Sequence, residues 1–377
     1  MVFFSQHMLH RSSLFVAILL GLSCIPLQSQ SADMKHWELD LSVSDADLSP
    51  DDRMLAVTLG TPLRLRRGDE VVESIEVWNY REQTKAASTV VATYRFAGIQ
   101  ANYPVRFTAD GTLLVVADVA RIHVLTADTL AVVRLIDPVL PAGFAIGTLE
   151  TSPVGHSVVV AANNSLAARL LAYDLDTGQL LFEWNPSMPV RSIAWKPDGT
   201  QFAIAPSLPC ASIGNNVHVF GTKPWAHLQA LTAKNALSLA FSNSHLYSAQ
   251  GSFCKGSVFN HHLGLEVFET EAWHQQRTVY LRKRDIHDYI SFANGRMMAN
   301  TGTVATKYDW GDFASFSHGA NLEFTVWDGD PPSVVFTSPT IQIMGRLRLS
   351  RSGKMVIVYA QTPHVFHVQK PQVFQLP

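Results

Sequence analysis

One segment of this chain recurs from end to end, and the recurrence limits the folds open to it. Residues 192–205 read Ser-Ile-Ala-Trp-Lys-Pro-Asp-Gly-Thr-Gln-Phe-Ala-Ile-Ala, so apolar residues flank a Pro-Asp-Gly turn. This pattern predicts two short strands joined by a tight turn. Weaker copies make seven units in all, with turns centred on positions 52, 111, 155, 199, 244, 295 and 353.

A third apolar segment follows each unit, and a fourth often follows the third. The predicted third strands are Ile75–Asn79, Ile122–Leu125, Leu171–Asp174, Val217–Phe220, Leu265–Phe268, Phe324–Asp328 and Val365–Val368. Four short antiparallel strands repeated about every 45 residues are typical of a propeller blade. The sequence therefore predicts an all-β chain, a seven-bladed β-propeller of four-stranded antiparallel blades, with six or eight blades as alternatives.

The two ends of the chain are predicted to complete one blade between them. The residues that remain before the first turn and after the last turn together amount to about one repeat. Residues 36–41 would then supply the outer strand of the last blade, which closes the ring and removes its free edges. Residues 373–376 are the alternative closing strand.

The repeats resemble those of the WD-repeat proteins and related exported bacterial β-propellers. The resemblance rests on the Ser-Pro-Asp-like turns and on third strands that end in Trp78-Asn79, Tyr173-Asp174 and Trp327-Asp328. It covers about residues 36–377. The regular Gly-His dipeptide of WD repeats is missing, so the hydrogen-bond network built on that dipeptide is not expected here.

The connections between second and third strands differ in length from blade to blade. They are short in the blades of Gly111 and Gly353 and longest, at about 25 residues, in the blade of Gly295. In propellers of this kind these connections share one rim with the links between blades. Long loops on a rigid scaffold often bind ligands, although they also lengthen without a function.

Two cysteines fall in these connections at matching positions of adjacent blades. Cys210 and Cys254 each follow the second strand by six residues. The chain has three cysteines, and removal of a signal peptide before Ala32 would take away Cys24 and leave these two. An even number in an exported protein is compatible with a disulfide, so we predict a Cys210–Cys254 bond that stiffens this rim. Two free buried thiols are the alternative.

The same rim carries the candidate binding residues. Histidines and carboxylates are common metal ligands, and aromatic side chains often anchor partners or sugars, but their spacing here matches no metal motif. No catalytic residue, metal site or cofactor is predicted. The candidates are His261, His262, Asp285, His287, Asp288, Tyr308, Asp309, Trp310, Asp312 and His318. Trp195 is interpreted as packed between blades, and strand histidines such as His218 are interpreted as face-exposed or packed groups.

The first residues are predicted to be a targeting segment. Residues 14–22 form an apolar stretch too short to span a bilayer, and small residues follow it before Ala32. We therefore predict a signal peptide at 1–31 and one propeller domain at 32–377, exported to the periplasm or the medium. An uncleaved anchor and lipidation at Cys24 are the alternatives. No later segment is predicted to span a membrane.

The composition of the chain argues against nucleic acid as a partner. Charged residues make up 16% of the chain and the formal net charge is -2, so there is no basic excess of the kind that binds nucleic acid. We expect a scaffold that binds a protein, a glycan or a small molecule through the loop-rich rim. The alternatives are a metal-dependent hydrolase, a lyase or a dehydrogenase subunit with a central site, and a structural envelope component.

Overall fold

Seven four-stranded sheets make up the described part of the chain. The structure is a computed structural model, and it describes residues 36–38, 43–59, 70–95, 103–206, 216–233, 236–250, 265–273, 275–279, 290–300, 324–328, 333–337, 346–359 and 372–375. All of these residues belong to one compact unit, Lys35–Pro377. None of them forms a helix long and apolar enough to cross a membrane.

The strands of the described part are numbered in chain order. They are β1 His36–Glu38, β2 Val43–Leu48, β3 Met54–Leu59, β4 Glu70–Asn79, β5 Thr84–Arg95, β6 Val105–Phe107, β7 Leu113–Ala117, β8 Ile122–Thr126, β9 Val132–Ile136, β10 Ala145–Thr151, β11 Ser157–Asn163, β12 Ala168–Asp174, β13 Leu180–Trp184, β14 Val190–Trp195, β15 Gln201–Pro206, β16 Asn216–Thr222, β17 Trp225–Thr232, β18 Ala236–Phe241, β19 His245–Gln250, β20 Leu265–Glu269, β21 Gln275–Val279, β22 Ile290–Ala293, β23 Arg296–Asn300, β24 Phe324–Asp328, β25 Ser333–Thr337, β26 Arg346–Leu349, β27 Met355–Tyr359 and β28 Gln372–Gln375.

Each sheet is one blade of a closed ring. Blade 1 is β2–β5, and each of the next five blades takes the next four strands, up to β25 in blade 6. First strands of successive blades contact one another from β2 through β6, β10, β14, β18 and β22 to β26, and β27 of blade 7 contacts β2 of blade 1. The first strands therefore surround the axis, and the fold is the predicted seven-bladed β-propeller.

Blade 7 joins the two ends of the described chain. Its sheet has the order β26-β27-β28-β1, and β1 pairs antiparallel with β28. The prediction that the segment starting at His36 forms the outer strand is confirmed. The third strand is β28, Gln372–Gln375. Val365–Val368, the predicted third strand, lies outside the described residues. The alternative that residues 373–376 close the ring is wrong, because residues 373–375 belong to the third strand and β1 is the outer one.

Both faces of the inner strands are buried, because each blade lies between two others. Along β7, Leu114 and Val116 pack with blade 1, whereas Val115 and Ala117 pack with blade 3. This is why the second strands read as continuous apolar segments and not as alternating ones. Buried apolar clusters of the described residues join blade 7 to blade 1 and every following pair up to blades 5 and 6.

The turns between first and second strands follow the repeat identified in the sequence. The residues at the predicted turn positions have positive φ in six of the seven blades: Asp52, Gly111, Gly155, Gly199, Gly295 and Gly353. L-residues with a Cβ disfavour this conformation, which explains the preference for glycine there. In blade 5 the three-residue turn that contains Asn243 and Ser244 has no residue with positive φ.

These turns also contact the turns of neighbouring blades. A Cβ added at Gly353 would lie 2.8 Å from the backbone oxygen of Ala293, and Asn294 Nδ2 donates to Ser352 O at 3.0 Å. On the other side of blade 7, the Ser352 hydroxyl donates to Asp52 of blade 1. The turn of blade 7 therefore contacts blades 6 and 1 on one rim.

We expect Gly353→Ala to destabilise the protein more than Gly155→Ala does. Both residues have positive φ, so each alanine costs about 1 kcal/mol of backbone strain. Nothing lies within 4 Å of a Cβ at Gly155, whereas the Cβ at Gly353 meets backbone. The difference in unfolding free energy, measured with urea, should be about 1–3 kcal/mol. Equal losses would contradict tight packing of the turns.

Candidate functional site at the centre of the ring

The residues predicted from the sequence as binding or disulfide residues lie outside the described part of the chain. Their predicted roles therefore stay predictions. They are Cys210, Cys254, His261, His262, Asp285, His287, Asp288, Tyr308, Asp309, Trp310, Asp312 and His318.

Within the described part, charged side chains gather at the centre of the ring. Asp47, Arg106, Glu150 and Arg348 lie on the first strands of blades 1, 2, 3 and 7. Each is placed five residues before the positive-φ residue of its turn. They therefore occupy one level of the ring, and in the blade order 7, 1, 2, 3 their charges alternate.

Glu150 is the acceptor on which two arginines converge. Arg348 binds it with two hydrogen bonds, from Nη1 to Oε1 at 3.0 Å and from Nη2 to Oε2 at 2.8 Å. Arg106 Nε also donates to Glu150 Oε1, at 2.9 Å. Paired, charge-assisted hydrogen bonds of this kind are about twice as strong as neutral ones.

The Arg348–Glu150 contact crosses the ring. Arg348 belongs to blade 7 and Glu150 to blade 3, and blades 1 and 2 lie between them on the shorter side. A direct contact between their inner strands therefore passes through the central space. Arg348 Nε also donates to Asp47 Oδ1 of blade 1, at 2.7 Å. One guanidinium thus connects three blades.

Asp45 and Asp47 connect blade 1 to blade 2 through the backbone. The amide of Val105 donates to Asp45 Oδ2 at 3.1 Å, and the amide of Phe107 donates to Asp47 Oδ2 at 2.9 Å. Arg106 Nη1 forms an ion pair with Asp45 Oδ2. Both carboxylates are buried, so these bonds replace the water that they lose on folding.

Arg351 forms a second link across the ring, just after β26. Its Nη2 donates to the backbone oxygen of Phe107 at 2.7 Å and to Thr151 Oγ1 at 2.6 Å. Both acceptors are neutral, and burial lowers the pKa of Arg351. The three arginines and the three carboxylates of this region balance in charge. We call Asp45, Asp47, Arg106, Glu150, Arg348 and Arg351 the central charge network.

The protonation state of Glu150 is set by its neighbours. Burial alone would raise the pKa of its carboxyl, but Arg106 and Arg348 outweigh burial and lower the pKa to about 2. A carboxylate that is ionised and bonded to two guanidiniums is a poor general acid or base near neutral pH. The geometry of the central charge network is therefore suited to holding blades together.

Trp195 packs between blades 3 and 4, as the sequence predicts. It lies against the buried cluster shared by these blades, and its Nε1–H donates to the backbone oxygen of Glu150 at 3.2 Å. The strand that carries Glu150 is thus bonded to both neighbouring blades.

A second polar group lies between the outer strands of blades 3 and 4. His218 Nδ1 and His227 Nε2 are 3.1 Å apart, and the Trp184 ring stacks on His227 at 5.5 Å with an angle of 4°. The Trp184 ring also lies 4.7 Å from His218. Burial, and then the neighbouring His227, lower the pKa of His218 to about 4.

The sequence contained a signal for the central charge network that motif analysis does not detect. Charged residues interrupt otherwise apolar first strands, and four of them share one position of the repeat. Aligning the seven turns places Asp47, Arg106, Glu150 and Arg348 in one column, with Ala194 at that position in blade 4. Opposite charges at one position of the repeat are therefore the sequence feature that indicates the central charge network.

We expect Glu150→Gln to lower the free energy of unfolding by about 3–5 kcal/mol, because it leaves two partly buried arginines without their shared carboxylate. Asp137→Asn is the control, since Asp137 pairs with Arg121 on the surface, where both side chains are more than half exposed. It should cost less than about 1 kcal/mol. Urea unfolding of both variants measures the difference, and similar values would contradict a central role for Glu150.

We expect acid to destabilise the protein in part through His218. The pKa of His218 is lower in the folded chain than in the unfolded chain, so unfolding takes up a proton between about pH 6.5 and pH 4. Its contribution to stability is present above that window and is lost as the pH falls through it. His218→Asn, which keeps a donor near the Nδ1 position, should flatten the dependence of melting temperature on pH there. An unchanged slope would contradict this assignment.

Comparisons with known proteins agree on the fold. No protein-family model matches the chain, and no curated protein sequence matches it. A solved structure described as "Crystal Structure of Mitotic Checkpoint Complex" contains a chain that is similar with a TM-score of 0.61 and 13% identity, covering 89% of this chain and 90% of that one. The Neurospora crassa Pan2 WD40 domain is similar with a TM-score of 0.57 and 11% identity over 89% of each chain. The chain has the fold of a WD40-like β-propeller.

Proposed function

We propose that this protein is an exported β-propeller that serves as a protein-binding scaffold. The partner surface is the rim on which second strands connect to third strands. The proposal is supported by a contrast in connection length between the two rims of the propeller. Export rests on the apolar segment at residues 14–22, which precedes small residues and Ala32.

The two rims differ in how much their connections vary. Turns between first and second strands contain two to five residues in every blade. Connections between second and third strands contain four residues in blades 2 and 3 but nine in blade 4, 14 in blade 5 and 23 in blade 6. Antiparallel order places these two sets of connections at opposite ends of the strands. Length variation confined to one end is typical of binding surfaces on rigid scaffolds.

The central charge network supports a scaffold over an enzyme with a central site. Its carboxylates are bonded to arginines or to backbone amides, so these residues hold the ring together. Among the described residues, no three His, Cys, Asp or Glu side chains are grouped so that they could hold a metal ion. A protein partner is favoured because one solved structure with this fold is described as a complex.

The test replaces the longest connection and leaves the blade intact. Asn300 of β23 pairs with Phe324 of β24, so a short Gly-Ser link can replace residues 301–323. The control inserts four Gly and Ser residues between Asp128 and Thr129, in an exposed turn at the opposite end of blade 2. Both variants are first compared with the natural protein by thermal unfolding.

We expect the shortened variant to lose its bound proteins while it keeps its fold. Proteins crosslinked in the source cells and quantified by mass spectrometry should be retained by the control and depleted about tenfold or more by the replacement, since a few residues dominate interface energy. Intact mass of the recovered protein reports whether the chain starts at Ala32. The same proteins on both folded variants would overturn the rim assignment.

A further inference from the structure

The His218–His227 pair has the geometry of two ligands to one metal ion. The two residues lie on adjacent strands β16 and β17, and their side chains share the face that looks toward Trp184 of blade 3. The ring nitrogens are 3.1 Å apart and the ring centroids 5.2 Å apart. Without an ion, one of these two nitrogens donates a hydrogen bond to the other.

These distances are close to what a four-coordinate ion requires. Bonds of about 2.0–2.1 Å from one ion to two imidazole nitrogens place the nitrogens about 2.8–3.0 Å apart at the right angle of tetragonal Cu²⁺ and about 3.3–3.4 Å apart at the tetrahedral angle of Zn²⁺. The observed separation of 3.1 Å lies between these values, so replacing the shared proton with an ion requires a shift of a few tenths of an ångström.

The aromatic rings around the two histidines hold the imidazoles in position. Trp184 stacks on His227 and Phe220 lies 5.2 Å from it, and together they limit rotation of the ring. A ligand held in its binding orientation loses less entropy when the ion binds.

We propose that His218 and His227 form a binding site for a divalent transition-metal ion on the outer face between blades 3 and 4. Imidazole suits copper, zinc and nickel ions, and among divalent ions of this row Cu²⁺ binds a given nitrogen site most tightly. Two protein ligands leave the remaining positions to water or to a group from a partner. The ion would tie the third and outer strands of blade 4 together.

Trp184 lies next to both histidines, so its fluorescence can report metal binding at this site. Addition of Cu²⁺ to the metal-free, full-length protein should give an electron paramagnetic resonance signal with coupling to two nitrogens and should quench part of the tryptophan fluorescence. Trp184→Phe should keep the two-nitrogen signal and lose the quenching that comes from this site. The chain has eight tryptophans, so the difference between the two proteins is the quantity measured.

Two substitutions remove one ligand each and keep the hydrogen-bonding shape. His218→Asn replaces Nδ1, and His227→Gln replaces Nε2, which are the two nitrogens that face each other. Each variant should lose the two-nitrogen signal and weaken Cu²⁺ binding at this site by about tenfold or more. His245→Asn is the control, because its imidazole bonds to the Ser244 hydroxyl, and it should bind like the natural protein.

The outcomes separate the site from copper bound to other histidines. If His218→Asn and His227→Gln, both folded by thermal unfolding, retain the two-nitrogen signal and the affinity of the natural protein, the proposal is wrong. It is also wrong if the natural protein shows coupling to one nitrogen or to none. Loss in both variants with retention in His245→Asn supports it.

Discussion

The ring depends on one carboxylate held between two arginines. Glu150 accepts hydrogen bonds from Arg106 of the preceding blade and from Arg348 on the far side of the ring. Because Arg348 also bonds to Asp47, the first strands of blades 7, 1, 2 and 3 are joined at one level. A propeller that closes through a short strand, His36–Glu38, gains from such a link because separation of blade 7 would leave charges without partners.

The charges fix the arrangement of the blades more than they add to its stability. Moving six charged groups out of water costs much of what their mutual attraction returns. The larger favourable contribution comes from the apolar clusters between blades, such as the one that joins Val115 and Ile122 of blade 2 to Leu149 and Val160 of blade 3. Apolar faces are tolerant of small shifts, whereas the bidentate Arg348–Glu150 pair is not. The hydrogen bonds of the network therefore form in one relative placement of the four first strands.

The fold was largely predictable from the sequence, and the site was not. Turn chemistry repeats, so the positions of Gly111, Gly199 and Gly353 predict their hairpins directly. In blade 7 the sequence favours Val365–Val368 as the third strand because three of its four residues are apolar, whereas in Gln372–Gln375 only two are. Pairing with β27 places Gln372–Gln375 in the third position. The contacts of Arg348 with Glu150 span 198 residues, and no local pattern encodes a partner that far away. The predicted rim residues lie outside the described residues and remain predictions.

Contacts between the turns explain why variation in length is confined to one rim. Pro50 lies against Gly111, Val154 against Gly199, and Ala293 against Gly353, so these three turns fill space next to the preceding blade. His156 extends this pattern, because it bonds to Asp110 of blade 2 and to Asp176 of its own blade, which raise its pKa. An insertion in one of these turns would displace its neighbour and break polar contacts on both sides. The connections between second and third strands start from the opposite ends of the same strands, where lengthening leaves these turn contacts in place. Because the blades are bonded at the centre and on one rim, the connections on the other rim can lengthen with little loss of stability.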